Sequence, residues 1–65
     1  MVTTEKEYIG ILKSRLSGYL SAEDLEEVLE EYAGHFAIGK SRGRTEEELC
    51  TALGDPEDVA KEIRA

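Results

Sequence analysis

The chain is predicted to be an all-α, compact bundle of two longer and two short helices, over about residues 5–17, 22–38, 46–53 and 56–64. Three observations carry that expectation. Apolar residues recur at spacings of three and four, and the apolar/polar alternation of a half-buried strand is absent. Residues suited to cap a helix, Thr4, Ser21, Thr45 and Asp55, stand just before each apolar run. The one proline, Pro56, follows Asp55 directly, at a first helical position where its missing N–H costs no hydrogen bond.

In the first helix, Thr4 caps the start and Glu7, three residues on, completes a capping box. Tyr8, Ile9, Leu12, Leu16 and Tyr19 then fall on one side at about 100° per residue, and Gly18 is expected to end the helix. Ser21 with Asp24 repeats the signal for the second helix, whose Leu25, Val28, Leu29, Tyr32 and Phe36 form a narrow stripe that Gly39 continues. Gly34 interrupts this helix at about 1 kcal/mol relative to alanine, and marks either a close helix crossing or a local weakness. Thr45 with Glu48 opens the third helix, carrying Leu49 and Leu53. Leu53-Gly54-Asp55-Pro56 then reads as a corner: a glycine able to end a helix in the left-handed conformation, an N-cap aspartate and an N1 proline. The fourth helix carries Val59, Ala60 and Ile63. Charges agree with these boundaries, since carboxylates gather at the starts (Glu23, Asp24; Glu46, Glu47, Glu48; Glu57, Asp58) and cations near the ends (Lys13, Arg15; Lys61, Arg64).

Sixty-five residues allow one domain, residues 1–65, with a thin core, since a chain of this size buries only about 60% of the surface it exposes when unfolded. A deep catalytic pocket is not expected. The net charge of −7 disfavours phosphate backbones and anionic lipid heads, so neither nucleic acid nor a membrane surface suits this body. Cys50 is the only cysteine, so the fold stands on packing without a disulfide, and a reducing cytoplasm is its natural setting. No apolar run approaches the roughly 20 residues of a membrane span, and MVTTEKEY lacks the basic start and apolar centre of a signal peptide.

Groups able to do chemistry are scarce. The acidic run Glu23, Asp24, Glu26, Glu27, Glu30 and Glu31 reads as the solvated face of the second helix. The one basic island, Lys40-Ser41-Arg42-Gly43-Arg44, has no interleaved aromatic and no strand leading into it, and offsets the acidic helices around it. His35 has no second ligand at metal-binding spacing and reads as a packed or boundary residue. Cys50 reads as a small half-buried apolar residue, its thiolate disfavoured by the glutamates beside it. Enzyme activity, a cofactor, a metal and a small-molecule substrate all lack sequence support. A helix-turn-helix reading of TEEELCTALGDPEDVAKEI meets two obstacles. Asp55 follows the turn glycine, and the would-be recognition helix carries Glu57, Asp58 and Glu62 against Lys61 and Arg64.

The ordered series Tyr8, Ile9-x-x-Leu12, Leu25-x-x-Val28-Leu29, His35-Phe36-x-x-Gly39-x-x-x-Gly43-x-Thr45-Glu46-Glu47-Glu48, Leu53-Gly54-Asp55-Pro56 and Ala60-Lys61-Glu62-Ile63 resembles the HAAS domain, the helix-turn-helix-associated alpha-helical signalling domain. The resemblance covers nearly the whole chain. It implies a small bacterial helical module, usually N-terminal to membrane-spanning segments and often encoded beside PadR-type transcription regulators. Its implied role is regulation through protein contacts. Family members commonly continue toward the membrane where this chain stops at Arg64-Ala65, so the resemblance implies either the N-terminal part of a longer membrane protein or a stand-alone version.

Residues and resemblance together give the expectation of a non-enzymatic interaction or signalling module. Its expected setting is cytoplasmic, possible tethering to the inner face of a membrane included, and its partner is a PadR-type regulator or a second copy. The alternative is a stand-alone cytosolic adaptor or oligomerisation protein. For contact surface, Ile11 falls off the centre of the first helix's apolar side and Ile38 lies roughly opposite the stripe of the second. With parts of Tyr8 or Tyr19, these two are the expected partner-contact residues, forming one small apolar patch if they cluster in space.

Overall fold

The computed structural model describes residues 2–65 and consists of four helices, α1 (Glu5–Leu16), α2 (Ala22–Ser41), α3 (Glu46–Leu53) and α4 (Pro56–Arg64). Each starts where the sequence predicts, because each N-cap side chain accepts a hydrogen bond from a backbone N–H of the first turn: Thr4 from Glu7, Ser21 from Asp24, Thr45 from Glu48 and Asp55 from Glu57. Only α3 closes the full capping box, with Thr45 N–H donating back to the Glu48 carboxylate at 2.9 Å. In α1 the Thr4 hydroxyl instead donates to the Glu7 side chain at 3.1 Å. The backbone N–H of Glu5 donates at 2.6 Å to Glu46, so a carboxylate of α3 caps α1 across the bundle.

Two helix ends differ from expectation. Gly18 has no positive φ and does not act as a left-handed cap; α1 ends at Leu16, whose carbonyl accepts from the N–H groups of both Tyr19 and Leu20. The second helix runs to Ser41, past the expected end near residue 38, because the chain turns out only at Gly43, φ +85°. There Arg44 N–H donates to Gly39 O and Gly43 N–H to Lys40 O, the paired bonds of a Schellman motif.

The central element is α1, which packs against α2, α3 and α4, while α2 also packs on α3. Tyr8, Leu12 and Leu16 of α1 and Phe36 of α2 are fully buried, and Leu49, Cys50 and Ala60 complete the core. The Tyr8 ring meets Phe36 edge-on at 5.6 Å between centroids and stacks against Tyr32 at 6.2 Å. Leu25, Val28, Leu29, Tyr32, Val59 and Ile63 pack around this centre half-buried. Gly39 is buried beneath Leu49; a Cβ there would stand 2.8 Å from Leu49 Cδ1 and closer still to Cδ2, so the small residue sets how near α3 approaches α2.

Gly34 marks no close crossing, since nothing lies within 4 Å of where its Cβ would be. Its cost is helix propensity alone. Gly34→Ala is therefore expected to raise stability by about 0.5–1 kcal/mol, checked by urea denaturation; a loss of stability would mean that the site is crowded.

Candidate interaction surface

The four residues expected to contact a partner go to separate places. Tyr8 is fully buried at the centre of the core and is unavailable as a surface residue. Ile11 is half-buried and lines a cleft of about 380 Å³ between α1 and the α3–α4 corner, together with Val2, Asp55 and Pro56. Among the described residues, Tyr19 and Ile38 are the two exposed large apolar side chains, at 65% and 54%. Tyr19 lies in the turn before α2 and Ile38 near its far end, and the sixteen helical steps from Ala22 to Ile38 span about 24 Å. The single patch suggested by the sequence is thus not assembled. Tyr19 is also not in the apolar face of α1, which ends before it; its ring instead carries the Arg64 guanidinium at 4.8 Å, tying the turn to the end of α4.

The Tyr8 hydroxyl is buried without a hydrogen-bond partner among the described residues. Burial, then the proximity of Tyr32, Cys50 and Asp55, pushes its pKa up to about 12. The unfolded chain releases this proton near pH 10, so Tyr8 makes stability fall as pH rises from about 10 to 12. Tyr8→Phe removes both the unpaired group and this liability. The variant is expected to be as stable as the parent or more so at pH 7, and to lose less stability between pH 10 and 12, as followed by thermal melts. A loss of more than about 1 kcal/mol at pH 7 would mean that the hydroxyl has a partner.

Cys50 is buried, its thiol 3.7 Å from the Thr4 carbonyl oxygen. Burial, followed by Glu46, Glu7 and Glu47, raises its pKa, which suppresses the nucleophilic thiolate. His35 is exposed, with its ring 5.7 Å from that of Tyr32.

The basic island divides in two. Lys40 bridges two helix starts, 2.7 Å from Glu5 and 3.1 Å from Glu46. The hydrogen bonds to Glu5 and Glu46 hold its pKa up, while the Glu5 backbone N–H and then Lys40 hold the Glu46 carboxyl down. Neither Arg42 nor Arg44 forms a salt bridge among the described residues. Both line a second cleft, of about 300 Å³, between the end of α2 and α3, whose apolar lining is Ile38, Leu49, Ala52 and Leu53. The expectation that the island offsets neighbouring acids therefore holds for the ion pairs of Lys40. The sequence marked the two arginines as part of the basic island, but not the cleft that they line. Their signal was their place just past Ile38, at the end of a helix that runs longer than its stripe suggests.

The HAAS family model matches residues 7–62. The chain belongs to the HAAS family. The match runs from the first turn of α1 to the last turn of α4, so it takes in the buried core, the corner, the second cleft and the first cleft except for Val2. Membership makes the domain a small signalling or regulatory module of the HAAS type. No curated protein and no solved structure matches the chain. Among the described residues, no helix is long and apolar enough to cross a membrane.

Proposed function

We propose that this HAAS domain is a non-enzymatic protein-interaction module of bacterial signalling or transcription regulation, the cytoplasmic part of a membrane-linked regulator, with a PadR-type transcription regulator as its partner. The observation that carries the reading is the family match over residues 7–62. The surface is compatible with it: an exposed isoleucine beside an apolar cleft and two arginines free of salt bridges among the described residues resemble the apolar centre and arginine-bearing rim of protein interfaces. The acidic run of α2, exposed throughout at Glu23, Asp24, Glu26, Glu27, Glu30 and Glu31, keeps the rest of that helix solvated.

The test is co-purification of the tagged chain expressed in its native cell, with mass spectrometry of what is retained. Recovery of a PadR-type regulator together with a membrane component is the expected result. Recovery of a soluble partner alone would replace the membrane-linked reading with a cytosolic adaptor, and recovery of the chain alone would overturn the partner assignment.

A further inference from the structure

The cleft at the end of α2 places an exposed isoleucine beside two arginines that form no salt bridge among the described residues. Ile38 is 54% exposed although it sits in the middle of a helical turn, where a solvated helix carries a polar residue. Beside it the walls of the cleft are apolar, Leu49 and Leu53 from one side of α3 and Ala52 from the next position. Gly39 makes this arrangement possible, because Leu49 lies where a side chain at position 39 would otherwise stand.

Charge then selects what can cover the cleft. The protein carries fifteen acidic and eight basic residues, and Lys40 and Arg15 are held in salt bridges with Glu5, Glu46 and Glu57. Arg42 and Arg44, free of such pairs among the described residues, both face this one cleft. Arg44 is close enough to Glu48 to contribute to the lowering of that carboxyl, after the hydrogen bonds from Thr45, but it stands in no ion pair with it. A basic partner would meet two unpaired guanidinium groups on desolvation. A carboxylate meets a planar donor fork suited to bidentate hydrogen bonding.

We propose that the cleft between α2 and α3 docks an amphipathic helix of a partner protein that seats one large apolar side chain on Ile38, Ala52 and Leu53 and flanks it with carboxylates directed at Arg42 and Arg44. The proposal rests on the reading of the domain as a protein-interaction module and gives that reading its surface and the chemistry of its partner. The apolar anchor supplies burial at the centre, and the arginine pairs set orientation and selectivity. Helix-in-groove recognition of this kind needs only a short apolar ridge on the partner.

The test is a ¹⁵N–¹H NMR titration of the whole chain with three synthetic helical peptides of one design, sharing a central leucine and differing only in flanking glutamates, lysines or glutamines. The glutamate peptide is expected to shift the amides of His35, Ile38, Arg42, Arg44, Ala52 and Leu53, with an affinity at least tenfold above that of the lysine peptide. The double variant Arg42→Glu, Arg44→Glu is expected to reverse that preference, a gain of binding that unfolding cannot mimic, and Ile38→Asp to weaken both peptides at least tenfold. Equal affinity for the lysine peptide, shifts mapping elsewhere, or no reversal in the double variant would overturn the proposal. So would line broadening at the same residues in the free protein that disappears on dilution, since a second copy would then be the occupant. Co-purification with the double variant separates this surface from the wider reading. A partner retained equally by wild type and variant defeats the cleft and leaves the module reading intact; a partner retained by neither defeats the reading, while the peptides still decide the cleft.

Discussion

Phe36→Ala is expected to cost about 3–5 kcal/mol, the usual range for emptying a buried phenylalanine site, about a third or more of the domain's whole stability. The whole stability of a 65-residue domain is only about 3–10 kcal/mol at 0.05–0.15 kcal/mol per residue. Phe36 and Gly39 are the only residues of α2 in the buried class, and Gly39 has no side chain with which to hold the helix. Phe36 is therefore the one fully buried side chain through which α2 engages α1, edge-on against Tyr8. The half-buried residues Leu25, Val28 and Leu29 spread the remaining contact along the helix and cannot replace it. Urea titration of the circular dichroism signal at 222 nm measures the loss. Ile38→Ala, two positions away and exposed, serves as the control and should change stability by no more than about 0.5 kcal/mol. If Phe36→Ala costs less than about 1 kcal/mol, α2 is held chiefly by its half-buried stripe.

The starts of the helices were legible in the sequence because capping is local: a side chain three residues from the N–H it serves leaves its mark in the spacing. Thr4, Ser21, Thr45 and Asp55 all cap where that spacing places them. Ends were less legible. The end of α2 depends on which of several glycines adopts positive φ, and Gly39 and Gly43 look alike until Leu49 is seen lying over the first. The cap that Glu46 gives α1 joins residues 41 apart in the chain, and no periodicity encodes it. For the candidate surface, helical geometry placed Ile38 correctly on the outside. The surrounding cleft needed the packing of α3 on α2, and so the partner residues Ala52 and Leu53 and the freedom of Arg42 and Arg44 came only from tertiary structure. Tyr8 shows the opposite error. Part of it was expected at the contact surface, yet the whole side chain is enclosed.

Gly54 is where the corner is most sensitive to substitution, for a reason that differs from the one its sequence context suggests. The glycine after Leu53 reads as a left-handed cap, a conformation asparagine also tolerates. Its dihedral angles are instead φ +88° and ψ 176°, in the region of positive φ and extended ψ that is essentially glycine-only and costs other residues about 1–3 kcal/mol. Space is not the obstacle, because nothing lies within 4 Å of a Cβ at this position. Gly54→Ala, Gly54→Asn and Gly54→Val should therefore all destabilise, with valine worst through its β-branch. Asparagine should give no rescue. At Gly43, φ +85° within a Schellman motif, Gly43→Asn should cost only a small fraction as much. Thermal melts of the two asparagine variants distinguish the cases, since each kcal/mol moves the midpoint by about 4–8 °C in a domain of this size. Equal midpoints would show that the corner yields to the side chain. A large gap would show that the chain is held there by the next two residues, Asp55 capping α4 and buried Pro56 opening it against the core. That geometry packs α4 against α1, beside the cleft that Ile11 lines and with Ala60 buried, so a conformation open to glycine alone determines where α4 and that cleft lie.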